Sequence, residues 1–93
     1  MKSEQPIQSE VLEYLKSIGC YARKVVPIRA GTLDTVACCK GLFIAIETKT
    51  EIGETSKLQD YNVKMVHKAE GIAFVARSVQ DVKDYFEKIK LWE

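Results

Sequence analysis

Histidine is nearly missing from this 93-residue chain, in which His67 stands alone. That excludes a histidine-rich hydrolytic site, and a zinc centre would have to pair His67 with scattered cysteines. Cysteine is scarce as well. Cys20, Cys38 and Cys39 make an odd count with no C-x-x-C spacing, so neither a disulfide framework nor a zinc site is expected, and all three read as free thiols in or near the core. No apolar run is long enough to cross a membrane. No secretory signal precedes Ser3-Glu4-Gln5-Pro6, so the protein is expected to stay in the cytoplasm. Repeats, linkers and low-complexity segments are also missing, so residues 1–93 read as a single domain. A domain this short buries a limited share of its surface, and a dimer would add to its core.

Charge of one sign is in short supply too, since the net charge is only +1. Its distribution says more than its total. Between residues 20 and 49, Arg23, Lys24, Arg29, Lys40 and Lys49 outweigh Asp34 and Glu47 by +3. The rest of the chain is neutral or slightly acidic. A positive middle suits a phosphate backbone; for any single one of these residues, an ordinary solubilising role is the plainer reading.

What is present centres on residues 31–49. Two β-rich apolar runs flank Lys40-Gly41, and X-Gly between such runs is a hairpin signal, because Gly tolerates the positive φ of a tight turn. Lys is a weaker first turn residue than Asn or Asp, so a longer loop is an alternative. With a two-residue turn, Cys39 pairs with Leu42, and the same register sets Asp34 opposite Glu47, with Cβ atoms roughly 4.5–5.5 Å apart. Lys49, two residues beyond Glu47, shares that face. Leu42, Ile44 and Ile46 take the other face, which suits a core. Like charges facing each other across a strand pair are destabilising. Lys49 can offset them, and a hard divalent cation such as Mg²⁺ can do so better while keeping waters for chemistry. Two acids, a metal-bound water and a lysine make a phosphodiester-hydrolysing site. A solvated Glu-x-Lys strand face is the bland alternative.

The remaining elements follow in order. Pro6 to Ile18 reads as a helix with Ile7, Val11, Leu12, Leu15 and Ile18 on one face and Gly19 as its stop. Glu10 lies at the border of that stripe and, from the residues alone, reads as solvated. Tyr21 to Ile28 is a strand candidate that Pro27 confines to an edge or ends. With the hairpin it makes an antiparallel meander. Residues 50–55 form a polar loop beside the site. A second helix runs from Ser56 to about Glu70, with Leu58, Tyr61, Met65 and Ala69 on its apolar face. Ser56-x-x-Gln59 is a capping box, and Gln59 could also reach a phosphate at that helix start. Ile72–Ala76 is a wholly apolar strand, buried on both faces. Ser78 caps a last helix with Val79, Val82, Tyr85, Phe86 and Ile89 inward, and Trp92 is either a lid on the core or a partner contact.

This α-β-β-β-α-β-α order resembles the PD-(D/E)xK nuclease superfamily, and within it the VRR-NUC (virus-type replication-repair nuclease) domain. The resemblance rests on Glu10 in the first helix, Gly31-x-x-Asp34, Glu47-x-Lys49, Ser56-x-x-Gln59 and the passage from Lys68 to Val75. Leu33 stands where the superfamily often has proline. The resemblance implies a restriction-endonuclease-like αβββαβα core with a mixed central sheet flanked by helices. It implies a Mg²⁺- or Mn²⁺-dependent DNA endonuclease in which Asp34, Glu47, the Thr48 carbonyl and, directly or through water, Glu10 hold the metal. Lys49 would position and activate the attacking water, and Gln59 would support the phosphate or Lys49. Arg23, Lys24, Arg29, Lys40 and Lys57 would meet the DNA backbone. Stand-alone members in phages look like dimeric resolvases of branched DNA, so a homodimer cutting four-way (Holliday) junctions, phage-encoded or in a bacterial host, is the expectation. A catalytically inactive module binding DNA or a protein is the alternative, and a plain α/β interaction domain a third.

Overall fold

A computed structural model describes residues 4–26 and 29–92. Helix α1 (Glu4–Ser17) is followed by strands β1 (Tyr21–Lys24), β2 (Thr35–Cys39) and β3 (Leu42–Thr48), helix α2 (Lys57–Lys68), strand β4 (Ile72–Ala76) and helix α3 (Val79–Lys88). The expected αβββαβα order is the observed one. The strands form one sheet in the order β1-β2-β3-β4. β1–β2 and β2–β3 are antiparallel, and β3–β4 is parallel. The parallel pair requires a crossover, and α2 supplies it.

Lys40 and Gly41 make the two-residue turn with φ of 53° and 82°, the signs a type I′ hairpin needs at both central positions. Cys39 pairs with Leu42 and Thr35 with Ile46, which is the register the sequence predicted. β1 is shorter than expected and ends at Lys24. Beyond it Val25 still donates its N–H to the Asp34 carbonyl at 2.8 Å. Pro27 and Ile28, which the sequence reading placed in this strand, lie outside the described residues.

The sheet separates two cores. On one side α1 and α3 bury Val11, Leu15, Ile44, Ile46, Val82 and Phe86, each such side chain contributing about 1.5–3 kcal/mol by leaving water. On the other side α2 covers Leu33, Ala45 and Ala73 through Val63 and Val66. That overturns the apolar face assigned to α2. Leu58, Tyr61 and Met65 are exposed, at 51%, 57% and 42%, and Ala69 is exposed with them. α2 carries two apolar stripes, and the small residues Ala45 and Ala73 admit the compact valines in place of the larger set. Leu42, expected in the core, is exposed because it sits at the hairpin tip, beyond the reach of the helices. β4 is covered on both faces as expected, by α2 over Ala73 and by the main core over Phe74 and Ala76. Trp92 packs edge-on against Phe86 with centroids 6.1 Å apart, so it is a lid on that core.

The free-thiol expectation is also corrected. Cys20 and Cys39 form a disulfide with Cα atoms 4.5 Å apart, within the usual range for a bridge. The β1–β2 register pairs Tyr21 with Cys38, which brings the preceding Cys20 beside Cys39. Among the described residues Cys38 alone is a free cysteine, and it is exposed on the opposite face.

Gly31 shows how tightly the loop before β2 lies on α2. Its φ is +86°, and a Cβ there would fall 2.6 Å from the Leu58 Cβ and 2.8 Å from the Leu58 carbonyl carbon. Gly31→Ala therefore meets backbone as well as an unfavourable φ. It is expected to cost about 2–4 kcal/mol, read as a lowered urea midpoint; an unchanged midpoint would show that the loop can lift off α2.

Candidate active site

Asp34 and Glu47 lie one step beyond the last β2–β3 pair, Thr35–Ile46. They touch: the Asp34 N–H donates to Glu47 Oε1 at 3.2 Å. Lys49 Nζ lies 3.6 Å from Glu47 Oε2. One hairpin register thus brings Asp34 to Glu47, thirteen residues on, with Lys49 two residues further, at the sheet end where α2 begins. Glu47 is 4% exposed. A carboxylate buried to that extent must be compensated, and Lys49 and the Asp34 amide both face it.

Asp34 is held more firmly than the sequence suggested. Its Oδ2 accepts from the Thr48 hydroxyl at 2.6 Å, and both carboxylate oxygens lie 3.2 Å from the Thr48 N–H. Thr35 donates its hydroxyl to Oδ1 at 2.9 Å. Thr48, expected to matter through its carbonyl, therefore acts here through its N–H and hydroxyl. Behind this sits Gln8, which the sequence reading missed. Its Nε2 donates to the Asp34 carbonyl at 2.8 Å and to Thr35 Oγ1 at 3.3 Å. Gln8 is buried, and a signal for it existed: it stands three, four and seven residues before Val11, Leu12 and Leu15, a polar residue in the apolar stripe.

Arg77 is a second residue the sequence did not point to. Its Nη1 donates to the carbonyls of Thr50 at 2.6 Å and Gly53 at 2.5 Å, fixing the polar loop after Lys49. Its N–H in turn donates to Asp81 Oδ2 at 2.8 Å.

The other expected site residues are placed less centrally. Gln59 accepts the Ser56 N–H through Oε1 at 2.9 Å, while Ser56 Oγ accepts from the Gln59 N–H at 3.1 Å. The capping box is complete, and the Gln59 Nε2 end donates to none of the described residues. Glu10 is exposed and lines a cavity of about 450 Å³ with Thr50, Glu51, Ile52 and Arg77. Among the described residues no three His, Cys, Asp or Glu side chains gather around one metal position, so Glu10 does not join Asp34 and Glu47 directly. Arg23, Lys24, Arg29 and Lys57 are exposed. Lys40 is committed elsewhere: its Nζ lies 5.6 Å from the Trp92 ring centroid and donates to the Trp92 carbonyl at 3.3 Å.

The donor set suits a hard divalent cation. It offers two carboxylates from adjacent strands, and Mg²⁺ is commonly held by one or two carboxylates with waters and substrate phosphate completing its shell. No softer ligand among the described residues adjoins the pair: Cys20 and Cys39 are bridged on the other face of the sheet, the free Cys38 lies four residues along β2 from Asp34, opposite Phe43, and His67 Nε2 contacts the Ala73 carbonyl at 2.7 Å.

No family model matches the sequence, and no curated protein matches it. A solved structure described as a VRR_NUC domain superposes with a TM-score of 0.78 at 23% identity, covering 90% of this chain and 94% of that one. At that identity the likeness is one of fold. No helix among the described residues is long and apolar enough to cross a membrane. By element order and mixed four-stranded sheet, this chain has the fold of the structure described as a VRR_NUC domain.

Proposed function

We propose that the chain is a divalent-metal-dependent DNA endonuclease acting on branched DNA, with four-way junctions as the substrate class. The supporting observation is the contact of Asp34 with Glu47, with Lys49 alongside. Asp34 and Glu47 would hold Mg²⁺ or Mn²⁺, helped by the Thr48 carbonyl, with Glu10 reaching the ion through water. When bound, the ion supplies Lewis acidity and an acidified water.

The chain's own groups do the rest. Lys49 Nζ donates to the attacking water or to a phosphate oxygen and stabilises the charge that grows there. Thr48 and Thr35 fix the Asp34 carboxylate so that it does not reorganise during the reaction. Gln8 holds the Asp34 backbone from behind. Gln59, at the start of α2, offers its Nε2 to the phosphate. Arg23, Lys24, Arg29 and Lys57 would meet the backbone of the DNA, and Lys40 drops out of that set because Trp92 holds it. Two copies related by a two-fold axis would make paired cuts, which light scattering of the pure protein tests. The protein would work in the cytoplasm of a bacterial host, where reducing conditions bear on the Cys20–Cys39 bridge.

The test is nicking of four-way-junction and plain duplex DNA with Mg²⁺ or Mn²⁺. Metal-dependent cutting that Asp34→Asn abolishes is the expected result; no cutting of either substrate overturns the proposal. One observation favours a non-cleaving module: both Asp34 oxygens already accept from Thr48 and Thr35. Absence of Mn²⁺ binding in a calorimetric titration would decide for that reading.

A further inference from the structure

The face of the sheet that carries Asp34 and Glu47 is only partly covered. α2 lies over Ala45 and Ala73; the strip toward the β1 edge lies open. There the registers align Tyr21, Cys38 and Phe43 in one row across three strands. All three are exposed, Tyr21 to 65% and Phe43 to 49%. With neighbouring strands about 4.8 Å apart, the two aromatic residues stand about 9.6 Å from each other, with a small cysteine between them. The next row holds Arg23, whose guanidinium lies 4.4 Å from the Tyr21 ring centroid. The row after that holds the acidic pair. Glu47 lies four positions along β3 from Phe43, about 13 Å along the strand, a span of a few nucleotides.

Phe43 also forms a wall of a cavity of about 330 Å³ shared with Asn62, Met65, Val66, Ala69 and Gly71. Asn62 Nδ2 donates to the Leu58 carbonyl at 2.8 Å, which leaves Oδ1 able to accept from a base amino group. An aromatic face, a thioether and an amide oxygen around one open cavity match a flat, polar-edged ring. The charge nearby matches its phosphates: Arg23 shares the Tyr21 face of β1, and β2 has no charged residue. Lys64 and Lys68 project from the exposed side of α2, with Glu70 at its far end.

From this placement we propose that the Tyr21–Cys38–Phe43 row is a stacking platform for unpaired bases, so that the nuclease site receives branched DNA where bases are unpaired, at an opened branch point or a single-stranded flank. Phe43 and its cavity take one base, Tyr21 stacks the next, and Arg23 meets the phosphate between them. Stacking tolerates any base because every base has a π-face. The inference rests on DNA being the ligand of the proposed endonuclease, and it adds which part of the DNA is gripped and by what.

The test is fluorescence anisotropy in EDTA, comparing a duplex bearing a single-stranded flank with the same duplex blunt-ended. Phe43→Ala and Tyr21→Ala are each expected to weaken binding of the flanked duplex about five-fold or more and to leave blunt duplex unchanged. Phe43→Trp should bind the flanked duplex at least as tightly as wild type. A 2-aminopurine placed in the flank should be quenched by wild type and not by Phe43→Ala. Both substituted residues are exposed, so circular dichroism should show the fold intact. Equal losses on both DNAs, or no loss on either, overturn the platform. So does a dimer that becomes monomeric on Phe43→Ala with DNA affinity unchanged, which would make this face a contact between two copies of the chain. Aromatic-dependent binding by a protein that never cuts would sink the endonuclease reading and leave the platform standing; cutting with no dependence on Tyr21 or Phe43 would do the reverse.

Discussion

Lys49→Ala is expected to lower DNA cleavage by about 10²–10³-fold, the usual cost of losing one preorganised group that stabilises developing charge. Lys49 has the position for that role. Its backbone N–H donates to the Ala76 carbonyl at 3.0 Å, which continues the β3–β4 pairing and fixes where the side chain starts. Its ammonium lies 3.6 Å from Glu47 Oε2, and the side chain is only 13% exposed. The positive charge therefore sits in a partly dry corner, where it is worth more than in water. Single-turnover cleavage measures the loss. Because alanine also removes a partner of the buried Glu47, a somewhat lower melting temperature is expected alongside. Lys49→Arg separates the two effects: it keeps the charge for Glu47 and restores stability, while the wider guanidinium restores cleavage only in part. Cleavage by Lys49→Ala equal to wild type would remove this residue from the mechanism.

The second large effect concerns the fold. Cys20→Ala, or reduction of the wild-type protein, is expected to cost about 2–4 kcal/mol. In a domain of this size that lowers the melting temperature by on the order of 10–20 °C. The bridged residues are 19 apart, and opening the bridge returns that loop's freedom to the unfolded chain. β1 is a four-residue strand at the sheet edge, paired only with β2. Besides its ladder and the packing of Ala22 beneath α1, the bridge is what ties it down. Since the Val25 N–H donates to the Asp34 carbonyl, loosening β1 also loosens the Asp34 end of β2, so the proposed cleavage should fall with stability at temperatures well below melting. Melting with and without reductant checks the first part. Identical melting curves for oxidised and reduced wild type would show that the bridge contributes nothing.

Both effects depend on residues whose partners differ in how readable they are from the chain. The Asp34–Glu47 contact was legible because a two-residue turn leaves one possible register, and period-2 alternation then fixes the faces. Lys49 followed from the same counting. The Ser56–Gln59 capping box was legible because both of its bonds are local. The disulfide was not, because it depends on the β1–β2 register, and an irregular loop joins those strands instead of a tight turn. Gln8 and Arg77 escaped for a similar reason. Their hydrogen bonds span 24 to 27 residues, and no local pattern sets such a distance.

Helix α2 shows the limit of periodicity most plainly. Leu58, Tyr61 and Met65 have helical spacing, and the helix is there, yet the face that packs is the one with Val63 and Val66. Spacing identifies a helix; what it packs against selects the face. Here the opposing surface is Leu33, Ala45 and Ala73, which is shallow and fits short branched side chains. The amino-acid order by itself determined the element sequence, the hairpin and the meeting of Asp34, Glu47 and Lys49, because each follows from short-range geometry. Tertiary structure alone decided the Cys20–Cys39 bridge, the support behind Asp34, the capture of Lys40 by Trp92 and the side of α2 left facing water, because each depends on surfaces brought together from distant parts of the chain.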